Sequence, residues 1–262
     1  MNKIATKEIK NLLQTIKTLR GENGCEWDRK QTHSTIRQNM LEEAYEAVDA
    51  INSNDMKHLK EELGDVLLQV VLHSQIADDN GCFNFEDVAR GINEKLIHRH
   101  PHVFSDTKVK NVDEILQNWD ALKKEEKPHR KSALDGISKA QSPLMTAEKL
   151  SKKAVKQGFE WPDEKSLIEC VKSEFREFIH AKTDEDKEME FGDILFALVN
   201  LARWHKLDAE QCLIKSNKKF ETRFRKMEEI APTVYDKPIT ELSYDEWDNL
   251  WNKAKMLTHT EY

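Results

Sequence analysis

Four sequence blocks occur twice in this chain, in the same order and at comparable spacing, and this repetition constrains the fold more than any other feature. Shared helical composition explains a common bias towards Leu and Glu. It does not explain why Glu-Trp, Gly-Asp and Asn-x-Lys-x-x-x-Arg recur in register. The sequence therefore predicts a duplicated unit. The paired blocks are GCEWD (24–28) with GFEWP (158–162), EEAYEAV (42–48) with SEFREFI (173–179), EELGDVLLQVVLH (61–73) with MEFGDILFALVNL (189–201), and NEKLIHR (93–99) with NKKFETR (217–223).

Each half is predicted to be helical. The 262 residues include only 8 Gly and 6 Pro, so few positions interrupt a helix. Apolar residues recur at helical spacing, which predicts an all-α fold made of a tandem repeat of two helical-bundle domains. The predicted helices cover 6–20, 33–52, 56–79, 85–99 and 112–126 in the first half, and 144–157, 164–182, 185–206, 208–230 and 243–257 in the second.

The two halves are separated by a charged stretch that contains Pro128, Gly136 and Pro143. Gly and Pro clustered between periodic segments indicate a loop. We therefore expect an N-terminal domain at 1–126, a linker at 127–143 and a C-terminal domain at 144–262.

Charge and hydropathy exclude several classes of partner. The net charge of −7, with both signs interspersed, gives no basic surface for nucleic acid. No apolar run reaches the length of about 18 residues that a membrane span requires, and the first residues lack the apolar core of a signal peptide. The four cysteines form no C-x-x-C pair and are expected to be free thiols. We expect a soluble, cytoplasmic protein.

Two acidic blocks carry the strongest chemical signal. Glu43 and Glu46 lie three residues apart, as do Glu62 and Asp65, and this spacing puts each pair on one face of a helix. The second half repeats the arrangement. Two such helices packed antiparallel would bring four carboxylates together. The eight predicted metal ligands are Glu43, Glu46, Glu62 and Asp65, and Glu174, Glu177, Glu190 and Asp193.

An apolar run follows each acidic block, from Val66 and from Ile194. A helix that is apolar nearly all round is typically buried, so its acidic first turns would be only partly solvated. Crowded carboxylates then need a counter-ion, and all-oxygen ligation favours Mg²⁺, with Mn²⁺ as a substitute. Because the blocks offer no Cys or His, zinc is expected to substitute poorly. The alternative is that each block is a solvated helix face.

Basic and aromatic residues also recur. Asn93, Lys95 and Arg99 match Asn217, Lys219 and Arg223, and cations four residues apart on a helix can bind a triphosphate. A solvated basic stripe is the alternative. Trp27 and Trp161 could stack on a base or act as packing anchors. The HRHPH stretch (98–102) has no matching zinc ligands and is interpreted as a structural loop.

These motifs together resemble the two-domain bacterial MazG-type nucleoside triphosphate pyrophosphohydrolases over nearly the whole chain. The family motif E-x-x-E, 12 to 28 residues, E-x-x-D occurs here with 15 intervening residues and again with 12. CEWDRKQTH (25–33) resembles the family's C-P-W-D-x-x-Q-T-H, with Glu26 in place of proline. RHPHVFSD (99–106) and SALDGI (132–137) are also similar to family signatures.

The resemblance implies Mg²⁺-dependent hydrolysis of nucleoside triphosphates to (d)NMP and pyrophosphate, an all-α fold and a homodimer. It also implies that Trp251 contacts the nucleotide, whereas the local pattern would fit core packing. Glu42 and Glu61 are candidate general bases, and Ser173 and Met189 replace them in the second half. Lys95, Arg99, Lys219 and Arg223 would stabilise charge on the leaving pyrophosphate.

Two other functions remain open on the residues alone. A non-catalytic helical module that binds nucleotides or a partner would need the basic and aromatic residues but not a four-carboxylate metal site. A di-metal oxidase bundle would need Glu-x-x-His ligands from two helices. Glu177 and His180 form that motif in the second repeat, but the first repeat has Asp49 at the position that matches His180.

Overall fold

The computed structural model describes residues 3–126, 128 and 130–258, and these residues form helices without any β-strand. The all-α prediction is therefore confirmed. The helices are α1 (Lys3–Arg20), α2 (Glu26–Lys30), α3 (Arg37–Asn52), α4 (Met56–Asp79), α5 (Phe85–Arg99), α6 (Pro101–Phe104), α7 (Val112–Glu125), α8 (Pro143–Val155), α9 (Glu164–His180), α10 (Asp184–Trp204), α11 (Ala209–Tyr235) and α12 (Tyr244–Leu257), with a 3₁₀ turn at Ile239–Glu241.

The chain divides into two compact units, residues 1–127 and 128–262. Most of the predicted linker belongs to the second unit, where Lys153 Nζ of α8 donates hydrogen bonds to the carbonyl oxygens of Ala133 and Asp135, at 2.9 and 3.1 Å. Residues 127 and 129 of that linker lie outside the described residues. The domain limits at 126 and 144 stay a prediction.

The first unit is built around the hairpin of α3 and α4. Asn54 adopts a left-handed conformation with φ of 56°, and Asp55 caps α4 by accepting hydrogen bonds from the backbone N–H groups of Lys57 and His58, both at 3.0 Å. Helix α1 packs against α4. Ile36, just before α3, joins them in one core. The buried core residues are Ile16, Ile36, Val71, Leu72 and Ile76.

The second unit repeats the hairpin with α9 and α10. Asp163 and Thr183 cap the two helices, and α10 packs against α8, where Ser151 Oγ donates a buried hydrogen bond to Asn200 Oδ1. A separate core joins α11 to α12. Its buried members are Met227, Ala231, Leu242, Leu250 and Ala254.

Helix α10 differs from the sequence prediction. Its apolar run was expected to be buried all round, but only Ile194, Ala197, Val199 and Asn200 are buried, so that expectation is wrong within the single chain. Helices α8 and α9 pack against it, and their contacts leave part of its surface open. Large apolar side chains stay exposed there: Met189, Phe191, Leu195, Phe196 and Leu198.

Three local features were missed. Helices α2 and α6 are too short to show a period, and the HRHPH stretch interpreted as a loop ends α5 and begins α6, with Pro101 at its first turn. Helix α11 continues through Pro232 instead of ending near residue 230 and stops where Asp236 is left-handed with φ of 49°. Among the described residues, no helix is long and apolar enough to cross a membrane.

Candidate metal and nucleotide site

The hairpin of α3 and α4 brings together three of the four acidic residues predicted in the first unit. One carboxylate oxygen from each of Glu43, Glu62 and Asp65 lies within 4.8 Å of the other two. Glu46 is exposed and is not part of this group, although its charge acts on both Glu43 and Glu62. Two helices joined by three residues therefore concentrate acidic side chains at one place.

Burial makes this first cluster electrostatically unfavourable. The residue Glu62 is only 6% exposed, and burial, followed by the charge of Glu46, raises the pKa of its carboxyl. Burial also raises the pKa of Glu43, with the charges of Asp65 and Glu46 adding to the effect. Each carboxylate is thus easier to protonate than in water because its neighbours are negative and solvent is partly excluded.

One carboxylate oxygen of Glu62 indicates that the residues of this cluster fit a cation. His58 Nε2 lies 2.9 Å from Oε1 of Glu62, whereas Oε2 is buried without a hydrogen-bond partner in the part of the chain that the structure describes. A buried acceptor without a donor is costly, and a divalent cation would satisfy it. Carboxylate oxygens are the ligands that Mg²⁺ and Mn²⁺ prefer, so the residues present fit such an ion.

Gln69 is a member of this site that the sequence interpretation missed. It lies four residues after Asp65 on α4, is 6% exposed, and its side chain hydrogen-bonds to Glu43, which lowers the pKa of that carboxyl against the larger effect of burial. Its Oε1 is buried without a partner among the described residues. The i, i+4 spacing to Asp65 was the available signal, and the second repeat has Ala197 at the matching position.

The hairpin of α9 and α10 forms a comparable second cluster. Oxygens of Glu174, Glu177 and Glu190 lie within 4.8 Å of one another. Burial and then the charge of Glu177 raise the pKa of Glu190. Asp193 is exposed and lies outside this group, but its charge contributes to the same shift. Each unit therefore gathers three of its four predicted ligands, and the excluded one differs between the units.

Two further side chains border the second cluster. Cys170 Sγ donates a hydrogen bond to Glu174 Oε1 at 3.6 Å, and Ser173 Oγ donates to Glu177 Oε1 at 2.9 Å. Both lie one helical turn before their partners, so i, i+4 spacing could have predicted them. His58 beside the first cluster and Cys170 beside the second were missed, but the grouped oxygens in both clusters belong to carboxylates alone.

The candidate general bases are both on the surface. Glu42 on α3 and Glu61 on α4 are exposed, and each is the chain neighbour of a clustered residue. The charge of Glu42 contributes to the raised pKa of Glu43. The structure thus leaves both carboxylates accessible to solvent.

The basic residues of the first unit are not equivalent to one another. Asn93 and Lys95 are exposed on α5. Arg99 instead donates from Nε to Glu126 Oε1 at 3.0 Å and from Nη2 to Glu126 Oε2. This pairing lowers the pKa of Glu126 to about 2. A phosphate that used Arg99 would have to displace this carboxylate.

The basic residues of the second unit lie on α11, where Asn217 is exposed and Lys219 and Arg223 are half-buried. The Arg223 guanidinium carbon lies 5.7 Å from the centroid of the Trp251 ring, within cation–π range. Trp251 is half-buried on α12, 5.6 Å between ring centroids from Phe220. A cation and an aromatic surface are therefore adjacent.

The other two predicted tryptophans have different surroundings. Trp27 on α2 is 60% exposed. Trp161 is half-buried just before α9, where its backbone N–H donates to Glu160 Oε1 at 3.0 Å. Arg203 holds Glu160 by two hydrogen bonds of 2.7 Å. The Trp161 backbone is thus tied to Glu160, while the Trp27 side chain is exposed to solvent.

The sequence profile of the MazG nucleotide pyrophosphohydrolase domain matches this chain twice, at residues 31–104 and 163–228. The chain belongs to the MazG family. The two matches also confirm the tandem repeat. They include both acidic clusters and both basic blocks, whereas Trp27, Trp161 and Trp251 lie outside them.

Two relatives of similar length support this membership. The chain is 42% identical over 248 residues to a Thermotoga maritima protein named nucleoside triphosphate pyrophosphohydrolase/pyrophosphatase MazG, covering 94% of this chain and 95% of that one. It is 40% identical over 256 residues to the nucleoside triphosphate pyrophosphohydrolase of Escherichia coli K12, covering 95% and 97%. The chain is also 45% identical over 258 residues to YabN of Bacillus subtilis, an uncharacterized protein. That alignment covers 97% of this chain and 53% of YabN, so the chain spans about half the length of this relative.

Proposed function

We propose that this MazG-family protein hydrolyses nucleoside triphosphates between the α and β phosphates, releasing (d)NMP and pyrophosphate in a reaction that needs Mg²⁺. Such an activity would clear unwanted nucleotides from the pool. The observation that carries the proposal is the buried Glu62 oxygen without a partner inside a cluster of carboxylates. The names of the Thermotoga and Escherichia relatives support the same activity.

The acidic residues would hold the metal. We assign Glu43, Glu46, Glu62 and Asp65 to the first site, and Glu174, Glu177, Glu190 and Asp193 to the second. Bound Mg²⁺ or Mn²⁺ would supply polarisation of the phosphate oxygens and a more acidic water ligand. Burial, and after it the charges of neighbouring carboxylates, raises the pKa values of Glu43, Glu62 and Glu190. These shifts support cation binding, because a cation compensates both the lost hydration and the repulsion.

Other side chains would handle the substrate. Glu42 and Glu61 are the candidate proton acceptors for the attacking water in the first unit. Lys95, Arg99, Lys219 and Arg223 would place positive charge beside the leaving pyrophosphate. Asn93, Asn217 and the three tryptophans at 27, 161 and 251 would contact the nucleoside. In the first unit, Glu126 competes with phosphate for Arg99.

We also propose that the protein is a homodimer. The exposed apolar side chains of α10 form a patch of the kind that marks a protein interface. A second copy would bury them and complete the packing expected from the sequence.

Mixed NTPs with Mg²⁺ test the proposal. Pyrophosphate, and not orthophosphate, should appear, and EDTA should abolish its release. Asp65→Asn and Asp193→Asn are nearly isosteric and should each remove one site. If the double variant keeps wild-type turnover, the acidic clusters are structural.

The same assay separates the enzyme from a non-catalytic nucleotide-binding module. A module would bind NTPs in the presence of Mg²⁺ without releasing pyrophosphate. Its nucleotide affinity would also survive the Asp65→Asn and Asp193→Asn changes.

A further inference from the structure

A groove of about 320 Å³ lies between α11 and α12 in the second unit. Five aromatic rings and one carboxylate contribute to its walls: Phe220, Phe224, Tyr244, Trp247, Trp251 and Asp248. Its volume falls at the lower end of the range typical of small-molecule sites. The groove opens directly above the core that joins the two helices.

The rings of the groove are ordered but not covered. Phe220 and Phe224 stack with 6.0 Å between centroids, and Phe224 stacks on Trp247 at 6.1 Å. Phe220 is nevertheless 58% exposed and Tyr244 is 84% exposed. Rings held from below and open above can accept a flat aromatic ligand by stacking.

The groove carries opposite charges at two places. Arg223 lies over the Trp251 ring, where it can attract an anionic group. Asp248, one residue after Trp247, is held by Asn252, whose Nδ2 donates to Asp248 Oδ2 at 3.1 Å. Each carboxylate oxygen accepts more than one hydrogen bond, so Asp248 can still receive donors from a ligand.

These features fit a nucleotide better than an apolar helix from a second copy. A nucleotide combines a flat ring, phosphates for Arg223 and a ring edge with N–H groups for Asp248. An apolar helix would bury the Asp248 carboxylate and offer it no donor beyond the Asn252 amide, and a buried charge with so little compensation is costly.

We propose that Asp248 recognises the edge of the nucleobase and makes the second unit prefer guanine nucleotides. This inference rests on the proposed nucleotide hydrolysis and adds a specificity-determining residue to it. Guanine presents adjacent N1–H and N2–H donors, which match the two oxygens of a carboxylate. Adenine and cytosine offer one amino group, and the uracil or thymine N3–H is flanked by carbonyl oxygens that repel a carboxylate.

The expected discrimination follows from the value of a bidentate contact to a base. Such a contact contributes about 1–3 kcal/mol, or roughly a 5- to 150-fold preference. GTP should therefore exceed UTP in kcat/KM by that factor, with ATP and CTP between them.

Asp248→Asn is the decisive variant, because the amide keeps the shape but replaces one acceptor by a donor. Turnover should be measured in an Asp65→Asn background, where the second unit acts alone. The ratio of kcat/KM for GTP to that for UTP should fall by about 5- to 150-fold. Asp245→Asn is the matched control, since Asp245 is an exposed carboxylate on the same helix, and it should leave the ratio unchanged.

A binding measurement separates this inference from the proposed activity. Calorimetric titration with GMP and with UMP, without divalent ions, should show tighter GMP binding that Asp248→Asn removes. Equal binding of the two nucleotides, or a GTP/UTP ratio unchanged within about twofold in Asp248→Asn, overturns the inference but not the hydrolysis. A change of oligomeric mass in Asp248→Asn would instead assign the groove to an interface between copies.

Discussion

Gln69 allows a prediction in which metal affinity falls while the stability of the metal-free protein stays nearly unchanged. We expect Gln69→Leu to weaken Mn²⁺ binding at the first site by roughly 10- to 150-fold. Gln69 hydrogen-bonds to Glu43, and a hydrogen bond to a charged group contributes about 1.5–3 kcal/mol. Without it, the Glu43 carboxylate is free to rotate and the assembled ligand set loses its orientation.

The same substitution should have little effect on the folded state without metal. Gln69 Oε1 is buried without a partner in the described structure, and an unsatisfied buried acceptor costs about 1–3 kcal/mol. Leucine removes that acceptor and keeps a similar volume in a position that is 6% exposed. Loss of the hydrogen bond to Glu43 destabilises the fold, whereas removal of the unsatisfied acceptor stabilises it. Because these two effects oppose each other, the melting temperature in EDTA should stay close to that of the wild type.

The assay needs one site at a time. In an Asp193→Asn background, Mn²⁺ binding followed by electron paramagnetic resonance reports the first site, and melting in EDTA reports the fold. Ala197→Gln is a useful counterpart in an Asp65→Asn background, because it introduces the amide at the matching position of the second site. If Gln69→Leu lowers the melting temperature but changes the Mn²⁺ dissociation constant by less than twofold, Gln69 is only a packing residue.

Three further outcomes are expected. The pKa of Glu62 is raised in the folded protein. The metal-free protein should therefore lose stability as pH rises from about 4.5 through that folded-state pKa. Melting temperatures measured at several pH values should show this loss in EDTA but not in Mn²⁺. Arg99 lowers the pKa of Glu126 to about 2. Their ion pair therefore contributes stability that is fully present above about pH 4.5 and disappears as pH falls towards 2. The difference in melting temperature between wild type and Glu126→Gln should shrink over that range, and a constant difference would contradict the ion pair. Leu195→Glu on the exposed face of α10 should shift the mass measured by light scattering from dimer to monomer, whereas an unchanged mass would reject that face as the interface.

Local spacing explains what the sequence could predict. The acidic clusters follow from residues three apart on two helices that are joined by a short turn, so their approach is almost fixed once the hairpin forms. The tandem repeat could also be predicted from the sequence, because four blocks recur in the same order. Helix limits were predicted to within a few residues where a strong apolar period met a capping residue such as Asp55 or Thr183.

The remaining features depend on contacts between residues far apart in the chain. The pairing of Arg99 with Glu126 spans 27 residues, and nothing in the Lys- and Glu-rich stretch around Glu126 distinguishes it from its neighbours. The exposure of α10 depends on which helices pack beside it. The aromatic groove joins Phe220 on α11 to Trp251 on α12, and the local pattern of either helix alone fits core packing.

The location of the groove leads to a last prediction about the two halves. Phe220, Trp251 and Asp248 all belong to the second unit, as does the cluster around Glu190. If each unit's metal cluster acts on the nucleotide bound by that unit, base selectivity should follow the second cluster alone. Asp65→Asn should therefore retain or increase the GTP preference, while Asp193→Asn should leave a residual activity with little base preference. Competition assays with equimolar GTP and UTP measure the ratio directly. A preference that survives in Asp193→Asn and disappears in Asp65→Asn would show that the groove does not serve the cluster of its own unit.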